Sequence, residues 1–199
     1  MKTLLLASSN PGKLKELSVL LAPLGWTLQL QSELGVPDAP EPHMTFVENA
    51  LAKARWASTL TGLPALADDS GLTVDLLDGA PGVRSARYAN TSVDEPKSDS
   101  ANNAKLLTLL SGKSQRTASF ICCLVLVRHA NDPLPLIAQG QWQGQILNAA
   151  QGSQGFGYDP LFFDPQQGCS AGQMSAELKN RISHRAKAIA CLLSQLNAV

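Results

Sequence analysis

The longest β-type run, Thr117–Arg128, constrains this chain more than any other feature. Leu134–Ile146 follows it across the turn residues Asn131-Asp132-Pro133, and the two segments read as a β-hairpin. The N-terminus adds a different pattern. Lys2–Ala7 reads as a short buried strand, Ser8-Ser9-Asn10-Pro11-Gly12 as a turn, and Leu14, Leu17 and Leu21 recur at helical spacing up to Gly25. Trp26–Leu30 alternates as a further strand. Strand, loop, helix and strand in that order, joined to a hairpin, predict an α/β fold.

From Gln31 to Met44 the chain is irregular by composition, with Pro37, Pro40 and Pro42 set among Asp38 and Glu41. Thr45-Phe46-Val47-Glu48 has the spacing of a capping box, so a helix starts there and ends at Gly62. On that helix Val47, Ala50, Leu51, Ala54 and Ser58 form a small-residue face, which leaves Lys53 on the polar side as a solvated lysine. Apolar Pro64–Ala67 and Leu72–Leu77 flank Asp68-Asp69-Ser70-Gly71, read as a turn at a strand end, and Asp78–Gly82 is a second turn cluster. Ser98–Leu110 reads as a helix, Gln151–Gly157 as a loop, and the segment from about Ile182 to Leu196 as a terminal helix. A length of 199 residues suits one core, so residues 1–199 are expected to form a single domain.

Charge narrows the function. Lys plus Arg number 16 and Asp plus Glu 16, which gives no global field toward nucleic acid or an anionic membrane. No apolar run approaches a bilayer span. Cys122, Cys123, Cys169 and Cys191 form no CxxC pair, which fits a reducing cytoplasm.

Several segments have the residue types for chemistry. Ser8–Lys13 joins a strand to a helix with small side chains and one lysine, the makings of an anion cradle, although it lacks the G-K-[ST] ending of a Walker loop. Asp68 and Asp69 are adjacent carboxylates that can hold a hard cation or share a proton, and burying both without a cation is costly. Glu41 alone reads as a solvated acid. Gly155-Phe156-Gly157-Tyr158-Asp159-Pro160 sets two aromatics and a carboxylate among glycines, where a planar base can stack or a tight turn can bury Phe156. Lys179 and Ser183-His184-Arg185 concentrate donors near the terminal helix.

Taken in order, Ser8-x-Asn10-x-x-Lys13, Thr45-Phe46-x-Glu48-Asn49-Ala50, Ala67-Asp68-Asp69-Ser70-Gly71-Leu72, the Gly155–Pro160 segment and Ile182-Ser183-His184-Arg185 closely resemble the inosine triphosphate pyrophosphatase family. The resemblance runs from about Leu4 to Ala188. It implies an elongated mixed β-sheet flanked by helices, in two lobes with a cleft between them, assembled as a homodimer. It also implies magnesium-dependent hydrolysis of ITP, dITP or XTP to the monophosphate and pyrophosphate. By the same resemblance Ser8, Ser9, Asn10, Pro11, Gly12, Lys13 and Lys53 hold the triphosphate. Glu41 and Asp69 bind Mg2+, Asp69 also accepts a proton, and Asp68 supports the metal. Ser70, Phe156, Gly157, Tyr158, Asp159, Lys179, His184 and Arg185 match the family's substrate contacts. Two positions depart from the family pattern: Ser9, where many members have glycine, and Gly172-Gln173-Met174, where Ala-Glu-Leu is frequent. The rival readings are a Maf-type pyrophosphatase for other nucleotides, a nucleotide sensor without turnover, and a nucleic-acid module.

Overall fold

The computed structural model describes residues 2–9, 11–21, 25–92 and 94–196. Its strands are β1 (Lys2–Leu6), β2 (Trp26–Leu30), β3 (Ala65–Val74), β4 (Thr117–Val127), β5 (Leu136–Ile146), β6 (Phe162–Asp164) and β7 (Cys169–Ser170). They form one mixed sheet in the order β2-β1-β3-β4-β5-β6-β7. β1 runs parallel to both β2 and β3, whereas β6 pairs antiparallel with β5 and β7. The helices are α1 (Pro11–Leu21), α2 (Phe46–Thr61), α3 (Asp99–Leu109), α4 (Ala176–Ile182) and α5 (His184–Leu196). The α/β class and the β4–β5 neighbourhood are as the sequence predicts.

The chain divides into two compact units: Met1–Asp69, Cys122–Gly140 and Arg185–Val199 in the first, Ser70–Ile121 and Gln141–His184 in the second. In the first unit the strand period of two sorts the core into layers. Leu4 and Leu6 of β1 pack with Leu17 and Leu21 of α1 and Ala188, Ile189 and Leu192 of α5. Leu5 and Ala7 face the other way, onto Ala50, Ala54 and Ala57 of α2. Small residues on α2 let that helix lie close to the sheet. In the second unit Phe120, Trp142, Tyr158, Leu161 and Phe162 fill the core with Leu106 of α3 and Leu110, its C-cap. Along β5 the glutamines 139, 141, 143 and 145 point to solvent while Trp142 and Ile146 are buried, a clean alternation.

Four local readings change. Gln31–Leu34 is not irregular but winds into a 3-10 turn, because the prolines begin only at Pro37 and Gly35 closes it at a φ of 67°. Asp68-Asp69-Ser70-Gly71 is not a turn: β3 runs through it. The terminal helix is broken at Ser183, whose extended backbone (φ −67°, ψ 164°) caps α4 before α5 starts. Lys53 is buried rather than solvated.

The α2 boundaries are as expected. Thr45 Oγ1 accepts the Glu48 amide at 3.3 Å, and Gly62, at a φ of 71°, ends the helix. The reciprocal arm of the capping box differs, since Glu48 Oε2 takes the Thr45 hydroxyl proton instead of the cap amide.

Candidate active site

Consecutive residues of a strand point to opposite faces, and β3 uses this to separate its two carboxylates. Leu66 belongs to the layer of α1 and α5, so Asp68, two residues on, faces those helices. Ala65 and Ala67 belong to the α2 layer, so Asp69 faces α2. The partners follow. Asp68 Oδ1 accepts Lys13 Nζ of α1 at 2.5 Å, and Oδ2 accepts Arg185 Nε of α5 at 3.2 Å and the Cys122 thiol at 3.4 Å. Asp69 Oδ1 accepts Lys53 Nζ of α2 at 2.8 Å, and the same ammonium donates to Glu41 Oε1 at 2.9 Å.

These partners give the adjacent carboxylates opposite acidities. Burial disfavours the Asp68 anion, yet Lys13 and Arg185 overcome it and hold the carboxyl well below the ordinary range. For Asp69 burial is only partly countered by Lys53, and the charges of Glu41 and Asp68 add to it, so its pKa is raised. Burial works against the Lys53 ammonium, but Asp69 and Glu41 more than compensate and its pKa rises. Asp69 Oδ2 is buried without a hydrogen-bond partner. The neighbouring Cys123 thiol, pushed up to about 11 chiefly by burial, is inert as a nucleophile at neutral pH.

Glu41 reaches this cluster because its loop is fastened on both sides. Trp56 Nε1 donates to Pro37 O at 3.0 Å. Asp38 Oδ1 accepts both Ser9 Oγ at 2.6 Å and Gln31 Nε2 at 2.5 Å. Farther along, Asn49 of α2 bridges His43, accepting its N–H at 3.0 Å and donating to its carbonyl at 3.2 Å. Asp38, Gln31 and Asn49 were not among the expected site residues. The buried amides of Gln31 and Asn49 leave no periodic signal in sequence.

In the phosphate-loop candidate, Ser8 and Ser9 follow β1, Pro11 and Gly12 open α1, and Asn10 lies outside the described residues. Asp78 is the one non-glycine with a positive φ among the described residues, so serine at position 9 meets no left-handed backbone. Glu41 and Asp69 converge on one ammonium, and Asp69 keeps a spare buried oxygen. Two hard carboxylates fit a hard divalent cation that completes its shell with water and ligand oxygens.

The remaining candidates belong to the second unit, where Ser70 lies half-buried on β3. The Phe156–Asp159 loop is built on close backbone packing: Gln154 N–H donates to Gly172 O, and a Cβ on Gly152 would stand 2.2 Å from that oxygen. A Cβ on Gly172 would meet Gln151 O at 2.8 Å, so the glycine of this departure from the family pattern is required by the packing here. Asp159 Oδ2 accepts Lys179 Nζ at 2.5 Å and the Phe156 amide at 3.0 Å. Tyr158 is buried, and its hydroxyl donates to Ser85 O at 2.8 Å. Phe156 is 54% exposed, so its ring is a surface rather than core. His184 opens α5 with its ring stacked 4.9 Å from Phe120 at an interplanar angle of 17°.

Residues 4–195 match the family model described as the Ham1 family. A dITP/XTP pyrophosphatase from Ralstonia nicotianae is 57% identical over 98% of this chain and 97% of its own length. One from Bordetella pertussis is 59% identical over 100% of this chain and 92% of its own. Among solved structures, a HAM1 protein from Coxiella burnetii has a TM-score of 0.92 at 44% identity and covers 100% of both chains. The Staphylococcus aureus Ham1 protein has a TM-score of 0.89 at 37% identity, covering 99% of each.

Proposed function

This chain belongs to the Ham1 family, and we infer from that membership and from its site that it is a nucleoside triphosphate pyrophosphatase. It hydrolyses deaminated purine nucleoside triphosphates (ITP, dITP and XTP) to the monophosphate and pyrophosphate, clearing them from the nucleotide pool. The observation that carries the catalytic assignment is the unlike state of two adjacent carboxylates.

Asp68 is committed to Lys13 and Arg185, so its part is to hold those cations in place. Asp69, whose Oδ2 is buried outside any hydrogen bond, is suited by position to take the proton of the attacking water. In our reading that water bonds to the α-phosphorus as its proton passes to Asp69 Oδ2. The bond from the α-phosphorus to the bridging oxygen breaks, and the electron pair leaves with pyrophosphate. Lys13 and Lys53 stabilise the charge that gathers on the leaving group, with Ser8, Ser9, Asn10, Pro11 and Gly12 lining the phosphates. Magnesium held by Glu41 and Asp69 would neutralise phosphate charge and polarise the scissile bond.

We assign the base to the second group of residues. Phe156 offers its exposed ring for stacking, with Gly157, Tyr158, Asp159 and Lys179 shaping the loop around it and Ser70 beside Asp69 on β3. Donors on His184 and Arg185 favour an oxygen at purine C6, and an adenine amino group there would leave a donor facing a donor. We further propose that residues 1–199 act as a single catalytic domain, in a homodimer, in the cytoplasm. Cys122, Cys123, Cys169 and Cys191 carry thiols rather than disulfides, which supports a reducing compartment.

The test is product identity. With magnesium present, ITP and XTP should yield the monophosphate and pyrophosphate faster than ATP, GTP, dTTP or UTP. Orthophosphate plus IDP would reassign the bond cleaved, preferred turnover of a pyrimidine triphosphate would point to a Maf-type activity, and tight binding without product would point to a sensor.

A further inference from the structure

We propose that Asp99 and Asn103 of α3 are positioning residues for the purine, which fix the Gly157 peptide and thereby the face that Phe156 presents. The proposal rests on the reading of Phe156–Asp159 as the base platform. Asp99 Oδ2 accepts the Gly157 N–H at 2.7 Å, and Asn103 Nδ2 donates to the Gly157 carbonyl at 3.0 Å. The two side chains stand one helical turn apart, so a single face of α3 holds both hydrogen-bonding groups of one residue. Gly157 has a left-handed φ of 62°, a conformation that a glycine adopts freely and therefore also leaves freely.

The neighbours are tied as well. The Phe156 amide is held by Asp159, and the Tyr158 hydroxyl is anchored on Ser85 O. Fastened backbone thus lies on either side of Phe156, an exposed residue, with Lys179 Nζ 6.0 Å from its ring centroid. An exposed aromatic on a fixed base binds a planar ligand without the entropy cost of first being ordered.

A first-turn acid can also serve merely to complement its helix dipole. Here the start of α3 is already capped by Ser98 Oγ, which accepts the Ala101 amide at 3.2 Å, and the Asp99 carboxylate is directed at Gly157. That difference makes the two roles separable.

The experiment uses the full chain with magnesium, ITP as substrate and inorganic tripolyphosphate as a base-free competitor. Asp99→Ala should raise the KM for ITP about tenfold, the scale of one hydrogen bond to a charged group, with kcat within about twofold. The inhibition constant of tripolyphosphate should not move. Asp99→Asn, which keeps an acceptor for the Gly157 amide, should restore most of the KM. Asn103→Ala should raise KM severalfold and serves in place of Asp99→Ala if that variant does not fold. Ser98→Ala weakens the same helix end without touching Gly157 and should leave KM unchanged. The proposal is overturned if Asp99→Ala and Asn103→Ala keep the wild-type KM, if Asn is as poor as Ala at position 99, or if Ser98→Ala reproduces the shift. Phe156→Ala separates the two readings: an unchanged KM removes the base platform itself, whereas a raised KM beside an unaffected Asp99→Ala removes only the clamp.

Discussion

Replacing Asp68 with Ala takes from Lys13 and Arg185 the carboxylate they share. The side chain of Asp68 is 0% exposed, that of Arg185 7% and that of Lys13 20%, so the guanidinium has little access to water while the ammonium has some. Removing one partner of a buried ion pair costs about 3–5 kcal/mol, and the partial access of Lys13 favours the lower end, about 3 kcal/mol. For a chain of this size each kcal/mol moves the midpoint of thermal unfolding by about 2–4 °C, so the expected drop is roughly 6–12 °C by calorimetry in EDTA. The sign with pH also follows. The folded pKa of Asp68 lies below its ordinary value of 3.8, so the stabilisation is complete above that value and is lost as pH falls through the folded pKa. The gap between wild type and Asp68→Ala should therefore be widest near neutrality and close in acid below 3.8. A midpoint within about 2 °C of wild type, or a gap that widens on acidification, would refute the burial argument.

Asp69→Asn should lower kcat by about 10²–10⁴-fold while the unfolding midpoint stays within a few degrees, because Glu41 still pairs with Lys53; near-normal turnover would remove Asp69 from the proton transfer. Asp132, which accepts the Arg128 amide, its guanidinium and the Leu134 amide, has its carboxyl held far below the ordinary 3.8. Asp132→Asn should be destabilised in urea at neutral pH, with the deficit shrinking as pH drops below 3.8, and a pH-independent deficit would contradict the assignment. Gly144→Ala places a Cβ 2.4 Å from Phe163 O and 2.6 Å from Phe162 Cζ, so it should cost about 1–3 kcal/mol in denaturant titrations, and a neutral result would mean that β5 and β6 shift apart easily.

What the sequence disclosed was mostly local. Thr45 and Gly62 mark α2 because capping depends on residues within one turn, and Ser98 marks α3 for the same reason. A helical wheel puts Lys53 on the polar face because it cannot see carboxylates that arrive from a loop 12 residues upstream and a strand 16 residues downstream. Asp68–Gly71 has turn composition, but α1, α2 and α5 bring cations to both carboxylates, and the strand continues through it. β6 and β7, at 3 and 2 residues, are shorter than any period can register. Among the proposed site residues, Ser8–Lys13, Asp68-Asp69 and the Phe156 loop stand out as motifs, whereas Glu41 alone reads as a solvated acid and enters only through the family resemblance. Asp38, Asp99 and Asn103 do not stand out, since each acts on a peptide or side chain distant in sequence.

Since Asp68 and Asp69 owe their unlike partners to nothing more than the pleat of β3, the strand tolerates substitution better than any change of length. Deleting a single residue between Ala65 and Asp68 would turn the first carboxylate toward Lys53 and the second toward Lys13, reversing which acid is quenched and which can accept a proton. Insertions and deletions in homologous chains should accordingly spare Ala65–Asp69 and collect at flanking turns such as Asp78–Gly82.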